Sequence, residues 1–498
     1  LLIISVLLAA VALIPLLFII GYTIAIGPEQ AAALIWRPRM GELLWNTVRL
    51  GVGCMAVSAV IGTGAAWLVE RSSLPGRRLW HVLLVAPLAI PAFVNSFTWI
   101  SIVPSATGYS GALLVVTLSY FPLVYLPAAA ALRGLDPVLE EAARALGNNR
   151  LTTFFRVVVP QLRPAVLGGV LLVGLHLLAE FGALQMLQYP TFTTAIYDQY
   201  KSSFNGQAAN MIAGVLVLCC LVLLMGELRL RGSARYSRLG PGSARPARKV
   251  RLGLATAPVV LAMAALAVLA VGVPLASICY WLITGSSTSF DAASLVSTAT
   301  SSIALAALAA VATTVATVPV AWLYTRFPGR WATLIERSTY IGSALPGIVV
   351  ALALVTVAIR GVPALYQTTA MLLVAYAIMF LPRAMVSVRA GLAQAPPLLE
   401  EVSRSLGNGR LSTMRRVTLP LIAPGLGSGA ALVFLAAVTE LTATLLLAPI
   451  GTQTLATRFW SLSGSVAYGA AAPYAALMVL ISAPATYLLT RQAGKERS

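Results

Sequence analysis

Apolar runs long enough for a helix to cross hydrocarbon, about 18 to 25 residues, recur along the whole chain. In the first half they fall at 2–26, 44–69, 79–103, 111–132, 165–188 and 208–228. In the second half they fall at 253–283, 297–324, 338–359, 368–388, 425–447 and 471–490. The pattern predicts an all-α integral membrane protein with twelve transmembrane helices, six in each half. Between the halves, 232–251 is rich in Gly, Pro, Ser and basic residues and reads as a flexible linker. The expected division is therefore a first six-helix domain over 1–231, the linker, and a second six-helix domain over 252–498. An even number of spans brings both ends of each half to one side of the bilayer.

Composition excludes a soluble globule: 59% of residues are hydrophobic, 10% are charged, and the mean hydropathy is +0.88. The formal charge of +19 raises the question of nucleic acid. The basic residues, however, are spread over short connections between apolar runs, which is the pattern of cytoplasmic loops and excludes a nucleic-acid partner. Placing the linker in the cytoplasm puts 28 Lys and Arg in inner segments and 6 in outer ones, so the linker and the C-terminus are expected inside a multi-pass cell membrane protein of inner or plasma membrane type. Cys54, Cys219, Cys220 and Cys279 show no metal-ligand spacing and read as small core residues. The sequence opens on Leu1 rather than Met, which predicts an upstream segment.

One polar stretch is written twice. Glu140, Glu141, Ala142, Ala143, Arg144 and Gly147 lead on to Val157, Val159 and Pro160; Glu400, Glu401, Val402, Ser403, Arg404 and Gly407 lead on to Val417, Leu419 and Pro420. The two copies, within 136–160 and 396–420, are offset by 260 residues. The same offset relates Pro122 to Pro382, Glu180 to Glu440 and Thr194 to Thr454, while Trp67 and Arg71 match Trp322 and Arg326 at an offset of 255. Two halves of one topology, with their ends on the same side, predict a pseudo-twofold axis along the membrane normal and a passage between them. Locally, Asp136 and Pro137 predict a helix start, Glu140 and Glu141 suit the positive end of its dipole, and Gly147 marks its end. A second short helix is expected over 150–158, with Leu151, Phe154, Phe155 and Val158 on one apolar stripe that can seat in a partner's groove or lie on headgroups.

These residues resemble the cytoplasmic EAA loop of ATP-binding-cassette importer permeases: Glu141, Ala142, Ala143, Gly147, Val159 and Pro160, and again Glu401, Gly407, Leu419 and Pro420. The second copy departs from the pattern at Val402 and Ser403, and both copies carry Val at the position of the pattern's Ile. The fused double domain, with Glu180 to Gly182, Thr191 to Tyr197 and Glu440 to Leu447, is most similar to the ferric-iron permeases, and the thiamine permeases are the nearest rival. The resemblance implies two fused MetI-like halves of a type I importer. It implies that Glu140, Glu141, Ala142, Ala143, Gly147, Phe154, Pro160, Glu400, Glu401, Gly407 and Pro420 couple to two ABC ATPase subunits, expected to be a homodimer because the copies are nearly alike. It also implies an extracytoplasmic substrate-binding protein and ferric iron as cargo. No phosphate-loop sequence occurs in the chain; it is expected to bind no cofactor and to perform no catalysis, with ATP and Mg held by the partner ATPases. An ion-coupled carrier of two six-helix repeats fits the helix count equally well, but it has no use for a docking loop in each half.

Glu180 and Glu440 are the acids deep inside the expected spans, near the outer end of the fifth span of each half. Two readings stand: an acidic gate that attracts a cation, or hydrogen-bonded packing posts. His176 lies one turn before Glu180 and its matching position is Ala436, so no metal site is assigned. Thr194 and Thr454 fall in outer segments that either line the passage or form interfacial turns with Tyr197 and Tyr200 as aromatic anchors. Pro87, Pro91, Pro122, Pro127, Pro346 and Pro382 are expected to bend their spans.

Overall fold

The computed structural model describes residues 1–135, 137–203, 206–233, 249–285 and 291–495. Within them the chain is helical throughout, and the β pairing consists of one isolated bridge, Ser72 with Val250. Among the described residues nine helices are long and apolar enough to cross a membrane. Two further pairs, Arg77–Ala89 with Ala92–Ile102 and Arg330–Gly342 with Gly347–Gly361, bend by 93° and 100° at short breaks, and eleven spans result if each pair counts as one. The twelve expected spans are thus nine to eleven by length and apolarity, with Tyr468–Pro484 a shorter apolar helix.

The two breaks share one cause. Ile90 precedes Pro91 and is extended, φ −103 and ψ 113, and Leu345 precedes Pro346 with φ −82 and ψ 134. A proline ring clashes with an α-helical residue before it and removes a backbone donor. At these matched positions the outcome is a right-angled break rather than the expected bend, with each proline capping the helix that follows. Pro127 and Pro382, by contrast, are carried inside continuous helices.

The chain forms two compact units that do not follow the sequence halves. One gathers Leu1–Met40 and Ala195–Val217 with Ser286–Ile481, and the other gathers Gly41–Thr194 and Leu218–Gly285 with Ser482–Ser498. In the first unit, helix Leu2–Ile26 buries Ala9, Ala12, Pro15 and Ile19, one stripe at helical spacing, and packs on the second half's helices Arg330–Ala344 and Gly347–Gly361. In the second unit the mirror exchange holds: helix Val273–Thr284 packs on Ala92–Ile102, where Ser277 Oγ lies 3.0 Å from Ser101 Oγ.

Small residues set how closely the helices approach, since lipid offers apolar side chains no incentive to leave it. A Cβ on Gly169 would lie 2.7 Å from the Leu123 carbonyl oxygen and 2.8 Å from Val124 Cα, and one on Gly429 would lie 3.4 Å from Ala384 Cα. The two glycines and their partners are related by 260 residues, so the repeat extends to the packing of the fourth span on the fifth. Many Ser and Thr within the spans bond back to their own helix, as Thr317 does to the Thr313 carbonyl at 2.7 Å, which satisfies those hydroxyls in hydrocarbon. The helix before each break is tied down by a polar pair of different kind. His81 Nδ1 lies 2.7 Å from the Tyr125 hydroxyl in one unit; Glu336 pairs with Arg389 in the other, where Arg389 also lies over the Tyr324 ring.

Candidate functional site

The duplicated module has one backbone in both copies. Helix Pro137–Ala145 ends with Asn148 N–H donating to the Ala143 carbonyl at 3.2 Å and Gly147 N–H to the Arg144 carbonyl at 2.9 Å. Helix Pro397–Ser405 ends with Asn408 donating to Ser403 at 3.2 Å and Gly407 to Arg404 at 3.0 Å. These are paired Schellman closures, and Gly147 and Gly407 take the left-handed conformation that they require, φ 85 and 83. The helix start expected at Asp136 lies outside the described residues.

The two acids of each module part ways. Glu141 and Glu401 are exposed, and Ala142 stands beside Glu141 on the surface with Ala143 half-buried. Glu140 instead turns inward to Arg71, Oε1 to Nη1 3.2 Å, and Glu400 turns to Arg326 at 2.9 Å. Around the exposed acids stand apolar side chains in open contact with the surroundings, Val138, Leu139 and Leu146 in one copy and Leu398, Leu399 and Leu406 in the other; Leu146 is 84% exposed and Leu406 76%. The 260-residue offset alone could have singled out these apolar pairs, which sequence motifs passed over.

The second element of each module departs from the expected surface helix. Arg150–Thr153 runs into a π-helical turn, Phe154–Val158, and on without a break into Val159–Ala179; Arg410–Thr413, Met414–Thr418 and Leu419–Val438 repeat this. Pro160 and Pro420 are accommodated because the turn before them supplies wider i→i+5 bonding. Each duplicated module is therefore one piece with its fifth span. Phe154 faces inward, its ring edge-on to Trp67 at 6.0 Å, and it is Phe155, 64% exposed, that faces out.

At the other end of that span the backbone breaks at a glutamate. Glu180 Oε1 accepts from the Ala183 N–H and Glu440 Oε1 from the Ala443 N–H, both at 3.0 Å, so each carboxylate caps the short helix that follows, Gly182–Met186 or Thr442–Leu447. Tyr120 O–H donates to Glu180 Oε2, and Thr193 and Thr444 hydroxyls donate to the Glu180 and Glu440 carbonyls at 2.7 and 2.9 Å. His176 turns Nδ1 to the Leu172 carbonyl at 2.9 Å, which makes that nitrogen the donor, and lays its ring 5.5 Å from the Tyr120 ring. Among the described residues no group of three or more His, Cys, Asp and Glu gathers as a metal site.

The second half changes the glutamate's surroundings. Phe380 stands where the repeat has Tyr120, and the Arg383 guanidinium lies 5.3 Å from the Phe380 ring and within electrostatic reach of Glu440. Arg383 falls inside the expected span 368–388, although it counts among the 28 inner basic residues. The helix Thr369–Ala393 runs on past it, leaving Arg383 about 15 Å from the helix end.

Thr194 and Thr454 are both buried but not equivalent. Thr454 caps helix Leu455–Gly464, and Leu455 N–H donates to Ser302 Oγ at 2.6 Å. In the first half it is Phe192 N–H that donates to Thr47 Oγ1, at 3.4 Å, just after Thr191. Thr191 is thus the true counterpart of Thr454, and the second half carries three more residues between Glu440 and this cap than the first has after Glu180. Beyond it, burial and the neighbouring Tyr366 push the Tyr200 hydroxyl up to about 12, so that ring stays neutral.

Comparison with known proteins identifies the family of the chain. Residues 58–228 and 314–495 each match the family described as binding-protein-dependent transport system inner membrane component. The Fe(3+)-transport system permease protein FbpB 2 of Haemophilus influenzae is 37% identical over 486 residues, 97% of this chain and 96% of that protein. The sulfate transport system permease protein CysT of Salmonella typhimurium is 32% identical over 36% of this chain and 72% of its own. A probable molybdenum ABC transporter permease of Haloferax volcanii is 30% identical over 43% and 84%. With two family domains and a relative matched over nearly the whole of both chains, the chain belongs to the inner membrane components of binding-protein-dependent transport systems.

Proposed function

We propose that this chain is the permease of an ATP-driven importer of ferric iron, with its two docking modules in the cytoplasm. The observation that carries the reading is one docking geometry built twice: the same helix closure, outward acid and apolar rim, each continuous with a fifth span. The near end-to-end likeness to an Fe(3+)-transport permease supports the cargo, and the 28 to 6 division of basic residues supports the orientation. Each module seats in a groove of one ATPase of a homodimer, with Glu141 or Glu401 and the apolar rim as its contacts. ATP and Mg bind in those subunits, as this sequence has no phosphate loop.

A helix without a break transmits displacement along its axis, so closure of the ATPases moves each fifth span as a rod about 31 Å long. The Glu180 and Glu440 caps lie at its far end, where the helix re-starts and an outer constriction would open. A binding protein on the outer face presents the ion there.

The test is reconstitution of the chain with its ATPase and binding protein in proteoliposomes. The expected result is uptake of radioactive ferric iron that requires ATP and the binding protein. Uptake driven by an ion gradient without ATP would overturn the importer, and ATP-driven uptake of thiamine, sulfate or molybdate in place of iron would overturn the cargo.

A further inference from the structure

We propose that Arg71 and Arg326 are positioning residues that lock each docking helix to the second span of its own repeat, and that Glu140 and Glu400 serve this lock rather than the ATPase. Each arginine is the last residue of a long span, Pro38–Arg71 or Ala292–Arg326, and each meets the first acid of a docking helix. The side chains are withdrawn from solvent, 8% and 17% exposed in the first pair and 10% and 19% in the second. Neither acid is therefore presented to an incoming subunit, whereas Glu141 and Glu401 are.

The internal repeat gives the pair independent weight. The arginines are related by 255 residues and the glutamates by 260, so a five-residue slip lies between the partners and the contact survives it. Each arginine has a second tether. Arg326 Nη2 also donates to the Ala395 carbonyl at 2.7 Å, just before its docking helix, and the Arg71 carbonyl accepts from Val250 N–H at 2.8 Å. Ser73 N–H in turn donates to the Val250 carbonyl at 2.9 Å, and Leu252 N–H to Ser73 Oγ at 3.1 Å, so the chain leaving the linker is fastened at the base of the first lock.

The docking helix is thus held at both ends, covalently to the fifth span through the π-helical turn and by an ion pair to the second. A push on the helix moves the two spans together. Without the pair it moves the fifth span alone, and the helix pivots at the Gly147 or Gly407 closure.

This inference rests on the importer reading, and its readout is the number of ATP molecules hydrolysed per ferric ion imported by the reconstituted complex. In the double variant Glu140→Gln with Glu400→Gln, we expect the ATPase to co-purify at the wild-type ratio and the ATP consumed per ion to rise at least fivefold. Reversing both pairs, R71E/E140R with R326E/E400R, should bring that figure back to within twofold of wild type. If the reversed chain does not assemble, Cys pairs at 71/140 and 326/400, bridged by a short bis-maleimide in a chain with its four native cysteines replaced, should restore it instead. An unchanged ratio in an assembled Gln variant, or no recovery on reversal or bridging, would overturn the lock. A wild-type complex that imports no iron with ATP would overturn the importer reading itself.

Discussion

Glu180 and Glu440 are placed where removal of a charge and removal of an acceptor have different consequences. Each carboxylate accepts a backbone N–H from the helix that re-starts beyond it, and a glutamine keeps that acceptor while an alanine does not. Loss of such a cap costs about 0.5–2 kcal/mol. Thermal unfolding of the purified protein should therefore rank Glu180→Gln as the mildest change and Glu180→Ala and Glu440→Ala as clearly destabilising by about that amount. Glu440→Gln should fall between them, because it also removes the counter-charge of Arg383, which has no equivalent in the first half, where Tyr120 donates instead. Equal midpoints for the Gln and Ala variants at 180 would remove the capping role.

At the scale of elements, the acidic helix of each duplicated module depends on the left-handed turn that closes it. A Cβ at Gly147 or Gly407 would meet nothing within 4 Å, so an alanine there is opposed by backbone conformation alone, by roughly 1–2 kcal/mol per site. Gly147→Ala with Gly407→Ala should leave the spans folded and weaken co-purification of the ATPase about tenfold, roughly 1.4 kcal/mol; undiminished recovery would mean that the closure does not shape the docking face. The place of these glycines was readable from the sequence, because a glycine after a short acidic helix has few other uses. The right-angled breaks were not. Pro91 and Pro346 look in sequence like Pro127 and Pro382, and what separates them is that Ile90 and Leu345 are free to extend while the residues before the others are held inside packed helices. The true match of Thr191 with Thr454 was hidden for a related reason. Thr194 also lies at a threonine, and only the hydroxyls of Thr47 and Ser302 on the facing span reveal which backbone N–H starts each outer helix.

For the whole molecule, the exchange of first spans decides what the linker is for. Helix Leu2–Ile26 packs its buried stripe against helices of the second half, where Ala9 joins Val320, Ala321, Ile335 and Leu381 in one core cluster and the Ala12 carbonyl faces Gly342. Helices Thr256–Ala267 and Val273–Thr284 pack in the same way against the first half. Each compact unit thus takes helices from both halves of the sequence, and the association of the halves is carried by buried helix contacts rather than by the covalent connection. Fastening of 250–252 to Ser73 and the Arg71 carbonyl adds a backbone staple on the second-half side of the linker. A chain divided between Ser233 and Lys249, with its two pieces expressed together, should therefore reassemble: a tag on one piece should recover the other in near-equal amount from detergent, and ATP-driven uptake should stay within about threefold of the intact chain, a change of roughly 0.7 kcal/mol. Pieces that insert separately and fail to co-purify would show that the connection itself holds the halves together. In the divided chain, shortening the first piece to begin after Ile26 should abolish recovery of the second piece, since it removes the helix whose buried stripe packs on the second half.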